Sequence, residues 1–554
     1  MADSRACYIH CRMSSFKLNY FLRRQRSITS AAFVLLIAFA ASMLLGLLRD
    51  RLLYARFYSC CTSQLDVYNA AFRVPDLFFR FLVTGALSAA FIPVFIEHWV
   101  KSRREAYQLA SASIIVMSGV FLVLGMVVFS FAYSISRLIA PGFSSTQVML
   151  MGNLVRWMIF AQGFFLLSNF VSAMLQAQKR FLLPALSPIV YNLSIIGGIV
   201  FGADKVGIFG PVLGVMVGAF LHFLIQFPAL FYLGFEFSLP TRAVFGGVKK
   251  IFRLMIPRVF TLGLEELESA ISVFLASFLP SGSLSLLYLS QHLYMIPVRL
   301  FGITLGQAMF PSFSKLWVKN KKAVFKKKLI ILFHRVFYLT SFVTTIMLVL
   351  RVPIVRLFFG SRQFPWSATV TTSRLLIFLS PAILAQAGIQ ILARAFYSLQ
   401  DTKTTFVVAF FALLLNVAVS FAGIYWLGWG VYSLVIAISV ATVFQLITLF
   451  IVLMARINHF DHEVRMNFDF FSRLITINIF TGFAGWALMR ALDIWAFDTS
   501  RVIGLFLLTG TSFVGSLITF IILSWFFRVP FLIDVFAVIL PRFEPVFRRW
   551  RERD

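Results

Sequence analysis

Long runs of apolar side chains alternate along this chain with short stretches of charged and turn-forming residues. Each run is close to the roughly 20 apolar residues that an α-helix needs to cross a bilayer. The runs lie near residues 29–48, 77–98, 107–136, 150–176, 183–203, 207–235, 253–280, 284–313, 329–358, 373–397, 405–427, 430–454, 471–493 and 502–527. The pattern therefore predicts an all-α polytopic membrane protein with about 14 transmembrane helices.

The composition agrees with this class, since 60% of the 554 residues are apolar and only 13% are charged. A net charge of +29 would fit a nucleic-acid partner, but the cations follow the topology instead. If the N-terminus is cytoplasmic, they collect in both tails and in the even-numbered loops, for example at Lys101, Lys179 and Lys250 and within 315–328. We therefore predict an inner-membrane-type protein with both termini in the cytoplasm. Anionic membrane lipids are the expected partners of these cations, and nucleic acid is not.

A weak internal repeat relates the two halves of the chain at an offset of 218 to 224 residues. Its landmarks are Pro75 with Pro297, Pro93 with Pro311, Gln178 with Gln400, and Asn192 with Asn416. Because the offset covers six spans, both halves have the same membrane orientation, which is a transporter architecture with the substrate site between the lobes. We predict basic tails at 1–27 and 528–554, an N-lobe at 28–235, a C-lobe at 236–455 and two added spans at 456–527.

The first hairpin carries cations on the side that should be poor in them. Arg49, Arg51 and Arg56 lie at its outer end, and Arg73 and Arg80 follow around the second span. Guanidinium groups suit the bidentate geometry of phosphates, so these arginines predict a pocket for an anionic, phosphate-bearing headgroup. Of the five, Arg51 is the one expected to be merely solvated. The alternative is that they pair with Asp50, Asp66 and Asp76 as gating or structural bridges.

The seventh span places three carboxyl groups, Glu265, Glu266 and Glu268, in an otherwise apolar run. Glu265 and Glu268 share a helical stripe with Ser269 and Ser272. The stripe could coordinate a coupling cation, take up a proton, or pair with the hairpin arginines. In the eighth span, His292 is either a hydrogen-bonded packing residue or a titrating switch.

Nothing in the chain indicates an enzyme. Zinc-protease, phosphate-loop and nucleophile-elbow motifs are absent from the sequence, and we expect neither a metal nor a cofactor. The four cysteines, Cys7, Cys11, Cys60 and Cys61, are too few for a disulfide framework, so we expect free thiols.

Three stretches in and around the first two spans form a recognisable set of motifs: Gly46–Asp50 (GLLRD), Asp66–Pro75 (DVYNAAFRVP) and Thr84–Phe95 (TGALSAAFIPVF). Together they resemble the MurJ (MviN) family. Ser277–Ser283, Gly302–Pro311 and Ala395–Thr404 are also similar, so that the resemblance extends over residues 28–455.

The resemblance implies a bacterial flippase for lipid II, the undecaprenyl-pyrophosphate-linked peptidoglycan precursor, driven by membrane potential or a coupled cation. The implied fold is that of the multidrug/oligosaccharidyl-lipid/polysaccharide (MOP) exporter superfamily, with two lobes around a cationic cavity and two further spans forming a groove for the lipid tail. Alternating access would carry the headgroup to the outer leaflet. Arg49 matches a motif arginine implicated in headgroup binding, and Asp66 and Arg73 also match motif positions.

The chain departs from the family pattern at several cationic positions. Met43 replaces a second arginine, Thr84 replaces an acidic residue, and His292 stands where the eighth span has an arginine. Arg299 could substitute for that arginine, and only Arg80 remains of a basic pair after Pro75. Two alternatives therefore stay open: a flippase for another lipid-linked oligosaccharide, and a cation-coupled drug exporter.

Overall fold

The computed structural model describes residues 28–80, 90–232, 234–238, 244–457, 463–499 and 501–529, and the secondary structure of these residues is helical. The chain divides into two compact units. One extends to Ser285 and includes Arg362–Phe364, and the other comprises Leu286–Ser361 and the residues from Pro365 onward. The lobe boundaries at 235/236 and 455/456 come from the repeat rather than from packing, and they stay predictions.

The first unit is built from a series of helices in chain order. They are α1 (Ile28–Phe57), α2 (Thr62–Ala71), α3 (Arg73–Phe79), α4 (Ile92–Lys101), α5 (Arg103–Ser130), α6 (Ala132–Ile139), α7 (Ser145–Ala177), α8 (Leu182–Gly197), α9 (Ala203–Val206), α10 (Phe209–Leu224), α11 (Phe227–Tyr232) and α12 (Phe245–Ala276). A π-helical segment, Gly198–Gly202, joins α8 to α9. α13 (Ser283–Pro297) begins in this unit and continues in the second.

The second unit continues from α13 through a π-helical segment, Val298–Ile303. Its further helices are α14 (Thr304–Val318), α15 (Lys322–Val349), α16 (Arg351–Phe359), α17 (Trp366–Ser398), α18 (Thr402–Tyr425), α19 (Val431–Ile457), α20 (Glu463–Trp495) and α21 (Val502–Phe526). Helices of this length and apolarity make the chain a multi-pass membrane protein.

Among the described residues, 11 helical stretches are long and apolar enough to cross a membrane, and they correspond to the third to sixth and the eighth to fourteenth predicted spans. The all-α polytopic prediction is confirmed. The count of 14 stays a prediction, because three predicted spans are not among these stretches. The first corresponds to α1. The second corresponds to the α3–α4 region, whose residues 81–89 lie outside the described part, and the seventh corresponds to α12, which has seven charged residues.

Close backbone approach joins α8 and the π-helical segment after it to α10 in the first unit. A Cβ atom at Gly198 would overlap the carbonyl oxygen of Gly210, and one at Gly214 would lie 2.8 Å from the Cα atom of Ile195. Small residues allow such packing in lipid, where helices are not driven together by the exclusion of water. The glycines therefore hold α8, which carries one residue of the candidate site, firmly in place.

Polar side chains attach the last two spans to α15 in the second unit. Asn478 on α20 donates to Ser341 Oγ at 3.0 Å and accepts from Thr345 Oγ1 at 2.8 Å. On α21, Ser524 Oγ accepts from the hydroxyl of Tyr338 at 2.9 Å. Hydrogen bonds between helices stabilise such contacts where water is absent, so α20 and α21 are integral parts of this unit.

The turn between α1 and α2 contains Cys60 and Cys61, which form a disulfide between neighbouring residues. The expectation of free thiols is wrong for this pair. The number and spacing of cysteines can indicate a set of disulfides that close long loops, but they do not predict a bond between adjacent cysteines.

Asp401 caps the N-terminus of α18. Its carboxylate accepts from the backbone N–H of Thr404 at 3.0 Å and from the Thr404 hydroxyl at 2.6 Å, and it pairs with Arg456 on α19. Burial alone would raise the pKa of Asp401, but these hydrogen bonds and the Arg456 charge hold that pKa below its ordinary value of 3.8.

Replacing Asp401 with alanine should lower the Tm at pH 7 by about 2 °C, since an N-cap contributes about 1 kcal/mol. The carboxylate has a lower pKa in the folded than in the unfolded state. Its contribution is therefore present above the unfolded pKa and is lost as the pH falls through the folded one. Thermal unfolding in detergent should show a smaller difference from wild type at pH 4 than at pH 7. Asp401→Asn, which keeps the cap, is the control, and a difference independent of pH would contradict this account.

Candidate functional site

Arg49 connects α1 to α8 within the first unit. Its Nε and Nη2 donate to Oδ1 of Asp50 at 3.0 and 2.8 Å, and its Nη1 donates to Oδ1 of Asn192 at 3.3 Å. Asn192 is itself held by donating Nδ2 to the hydroxyl of Ser42 and to the carbonyl of Pro188. The Arg49 side chain is 24% exposed, whereas that of Asp50 is 8% exposed. The guanidinium is therefore held in position while part of it stays accessible.

Arg73 and Arg80 connect α3 to α12. Nη1 of Arg73 donates to Oγ of Ser269 at 3.2 Å, and Nε of Arg80 lies 2.7 Å from Oε1 of Glu266. Glu266 is 4% exposed, while the Arg80 side chain is 45% exposed. Of the three roles considered for the seventh-span glutamates, Glu266 therefore has the third, which is pairing with a hairpin arginine. Ser269, from the predicted serine stripe, is the hydrogen-bond partner of Arg73.

Asp76 lies in the first turn of α3 and is half-buried. Asp76 is close enough to interact electrostatically with Arg73, Arg80, Arg49 and Glu266. Charged groups from three parts of the first unit, namely α1, the region of α3, and α12, therefore act on one another. We call the six charged residues the arginine cluster; its members are Arg49, Arg73, Arg80, Asp50, Asp76 and Glu266. Three guanidiniums balance three carboxylates, so the formal charge of the cluster is zero.

Replacing Arg80 and replacing Glu266 should lower the free energy of unfolding by different amounts. Arg80→Gln leaves a buried carboxylate without this partner and should cost about 2–3 kcal/mol, whereas Glu266→Gln leaves a guanidinium that solvent can reach and should cost less. The double variant should regain most of the loss caused by Arg80→Gln. Thermal unfolding of the three purified variants measures this order, and a larger loss for Glu266→Gln than for Arg80→Gln would refute it.

Two of the predicted site residues have other contacts. Arg56 pairs with Asp204 on α9, and both side chains are largely exposed, at 42% and 66%. Asp66 is buried and accepts from the backbone N–H of Gly282 at 2.5 Å and of Ser285 at 2.9 Å. The hydroxyl of Ser285 also donates to it at 2.6 Å. Asp66 therefore caps the N-terminus of α13 and fixes the loop before it.

The remaining predicted residues of the seventh and second spans are only partly described. Glu265 lies on α12, with its side chain outside the described part. Glu268 is half-buried, and its carbonyl accepts from the hydroxyl of Ser272 at 2.9 Å. Thr84 lies outside the described residues, and Met43 is half-buried on α1.

His292 and Arg299 belong to the second unit. The exposed imidazole of His292 lies edge-on to Tyr288, with ring centroids 6.4 Å apart. Arg299 is exposed within the π-helical segment Val298–Ile303, and its carbonyl accepts from the hydroxyl of Thr304. Their predicted roles stay predictions.

Sequence reasoning did not include Asn192 or Asp204 among the site residues. Asn192 appeared only as a landmark of the repeat, although an amide in an apolar span is itself a signal, because it requires a polar partner. Asp204 lies just after an apolar run and has no motif around it. Its pairing with Arg56 depends on tertiary structure.

The helices and the arginine cluster define the class of protein first: a multi-pass membrane protein whose first unit holds a cluster of three arginines and three carboxylates. Solved transporters share the fold. The structure is similar to the inward-facing conformation of a multidrug resistance MATE family transporter of the MOP superfamily, at a TM-score of 0.61 and 14% identity over 75% of this chain and 94% of that one. The likeness to lipid II flippase MurJ in an inward closed conformation has a TM-score of 0.73 and 23% identity, over 90% of this chain and 99% of that one.

The family follows from the sequence match. The family model described as lipid II flippase MurJ matches residues 61–506, and the chain belongs to this family. A lipid II flippase MurJ of Burkholderia cenocepacia is 28% identical over 384 residues, which are 68% of this chain and 74% of that one. A "Probable lipid II flippase MurJ" of Bdellovibrio bacteriovorus is 27% identical over 453 residues, which are 80% and 84% of the two chains. The resemblance noted in the first two spans is thereby confirmed, and the family is one of transporters.

Proposed function

We propose that this protein moves lipid II from the inner to the outer leaflet of the bacterial cytoplasmic membrane by alternating access, with both termini in the cytoplasm. Membership of the lipid II flippase MurJ family supports the substrate. The positive-inside distribution of loop cations supports the orientation. Moving a lipid headgroup across a membrane requires no covalent chemistry, so the side chains need only bind it and exchange it between two sides.

The observation that carries the proposal is the arrangement of Arg49, Arg73 and Arg80. Each guanidinium is anchored through part of its donor set, to Asp50 and Asn192, to Ser269, and to Glu266 respectively. A guanidinium has five N–H donors in a planar fork, which fits the paired oxygens of a pyrophosphate. Guanidinium forks that are held in position in this way are preorganised for a diphosphate headgroup.

The balanced charge of the cluster supports a carboxylate exchange mechanism. In the structure, Asp50 and Glu266 occupy donors of Arg49 and Arg80. A pyrophosphate that enters must displace these carboxylates, and the displaced groups regain their partners once the headgroup leaves. These ion pairs therefore weaken binding of the headgroup and favour its release. Gating and binding, the two interpretations of the hairpin arginines, are then two stages of one transport cycle.

The energy source is either the membrane potential or a coupled cation. Glu266 is paired with Arg80 and is less suited to cation coupling than Glu265 and Glu268, which share the serine stripe. These two carboxyl groups are the proposed site of coupling if a cation is used.

A flippase for another lipid-linked oligosaccharide is the second candidate. Met43 and His292 stand where the family pattern has arginines, and the thioether of Met43 gives a phosphate no hydrogen-bond donor. Fewer cations would suit a headgroup with a different distribution of negative charge.

Complementation separates the two candidates. The chain is expressed in cells depleted of their own lipid II flippase, and growth is followed alongside the amount of membrane-inserted protein. Sustained growth is expected for a lipid II flippase. Lysis despite verified insertion would overturn the proposed substrate and favour the other lipid-linked oligosaccharide.

A further inference from the structure

Arg137 and Arg156 stand out because no carboxylate lies near them in the sequence. Residues 106–203 contain neither Asp nor Glu, and within the described residues neither arginine has an ion-pair partner. By the predicted topology both lie toward the outer face, where cations are disfavoured. Arginines in that position, with no carboxylate near them among the described residues, are open to an anionic ligand.

The guanidinium of Arg156 is held by the residues around it. Its Nε donates to the carbonyl of Phe129 at 3.0 Å, and its Nη1 donates to the hydroxyl of Tyr133 at 3.1 Å. It also lies over the rings of Tyr133 and Phe129, at 4.3 and 5.1 Å from their centroids. These contacts orient the group and use two of its five N–H donors, leaving three for a ligand.

Tyr133 links Arg156 to a groove between α6 and α7. The groove has a volume of about 220 Å³ and is lined by Tyr133, Arg137, Ser145, Val148 and Met149. The ring of Tyr133 lies across the backbone of Gly152, where a Cβ atom would overlap it, and its hydroxyl donates to Asn153 at 2.8 Å. Arg137 thus lines the groove, Arg156 contacts the lining residue Tyr133, and the rest of the lining is largely apolar.

The surface around the groove has the character of a membrane interface. Trp157, Phe131 and Tyr133 are 45%, 59% and 36% exposed, and amphipathic aromatic side chains favour the headgroup level of a bilayer. Arg156 lies six residues inside the predicted span at 150–176, or about 9 Å from its end. An arginine side chain at that depth can reach the headgroups.

We propose that Arg137, Arg156 and Tyr133 form a binding site for an anionic phospholipid, with the headgroup phosphate on the two guanidiniums and part of one acyl chain in the groove. The charge of the headgroup complements arginines that have no ion-pair partner in the described part of the chain, and the apolar lining suits a lipid chain. The site is separate from the arginine cluster of the transport site and does not depend on the identity of the transported lipid. With the predicted topology, the bound lipid belongs to the outer leaflet.

The test is native mass spectrometry of the full chain in detergent, titrated with dioleoyl phosphatidylglycerol or with dioleoyl phosphatidylcholine. The wild type should retain the anionic lipid preferentially. Arg137→Gln and Arg156→Gln should each weaken its binding about tenfold, because each removes a charge-assisted hydrogen-bond donor. Arg362→Gln is the matched control, since Arg362 is an exposed arginine on the same predicted side and is not among the residues that line the groove. If either arginine variant fails to fold, Tyr133→Phe replaces it.

Four results would overturn the proposal. Equal binding of the two lipids would show that the site does not select an anion, and equal losses in Arg362→Gln would show a general charge effect. Displacement of phosphatidylglycerol by inorganic phosphate alone would show that the groove takes no lipid chain. Lipid II is added as a further competitor, and displacement by lipid II at equal concentration would assign the groove to the substrate path instead.

Discussion

Replacing Arg49 with alanine is expected to abolish flipping while leaving the amount of membrane-inserted protein nearly unchanged. The variant removes the N–H groups that Arg49 donates to Asp50 and Asn192. It thereby also removes the guanidinium that a pyrophosphate would contact. Two charge-assisted hydrogen bonds contribute about 3 kcal/mol or more, so transport should fall at least about 100-fold. Arg49→Lys keeps the charge but not the planar fork and should restore only part of the activity. The measurement is rescue of cells depleted of their own flippase, with protein quantified in the membrane fraction.

The controls for Arg49 separate binding from folding. Arg49→Ala also removes the ion-pair partner of Asp50, which is 8% exposed. The double variant Arg49→Ala with Asp50→Asn removes that carboxylate charge and should fold well, yet it should remain inactive. Arg51→Gln changes an arginine two residues away on the same helix, pointing about 200° from Arg49, and should retain activity. Full rescue by Arg49→Ala would remove Arg49 from the proposed headgroup site.

Replacing Asp66 with alanine should produce the largest loss of stability. Asp66 is buried and accepts three hydrogen bonds, from the N–H groups of Gly282 and Ser285 and from the hydroxyl of Ser285. Its removal leaves buried donors without an acceptor, at a cost of about 1–3 kcal/mol for each. A total near 3 kcal/mol is expected, together with loosening of the loop before α13. Thermal unfolding of purified protein in detergent measures the change.

An exposed carboxylate provides the comparison for Asp66. Asp498 pairs with Arg501 at 3.3 Å and its side chain is 59% exposed. Surface ion pairs contribute about 0–1 kcal/mol, so Asp498→Ala should shift the Tm little. Asp66→Asn should lie between, because the amide oxygen can still accept but the charge is lost. Equal Tm values for Asp66→Ala and Asp498→Ala would contradict the capping role.

The spans were the most predictable part of the fold. Apolar runs follow from the requirement that lipid-facing residues be apolar over a fixed thickness, so a helix such as α17 is evident from composition and length. α12 is different, since its seven charged residues reduce the apolar signal although it forms one continuous helix. The sequence identifies the charged residues of α12 and the arginines in and after α3 as candidates for the site. It does not show which glutamate pairs with which arginine.

The pairing inside the site depends on helix rotation and tertiary packing. The stripe argument favoured Glu265 and Glu268, whereas the ion pair to Arg80 comes from Glu266, which lies on another face of the same helix. Asn192 reaches Arg49 across 143 positions of sequence, and Asp66 caps a helix that begins 217 positions later. Periodicity reports which face a residue occupies, but the partner of that face is set by the packed fold.

The most direct test of the central claim uses purified full-length protein in proteoliposomes containing fluorescent lipid II. A membrane-impermeant quencher added outside reports the fraction of headgroups that reach the outer leaflet. Wild-type protein should make nearly all of the initially inner-leaflet lipid II accessible, while Arg49→Ala and protein-free vesicles should leave it protected. If wild-type protein does not move lipid II, or if Arg49→Ala moves it equally fast, transport of lipid II through the arginine cluster is contradicted.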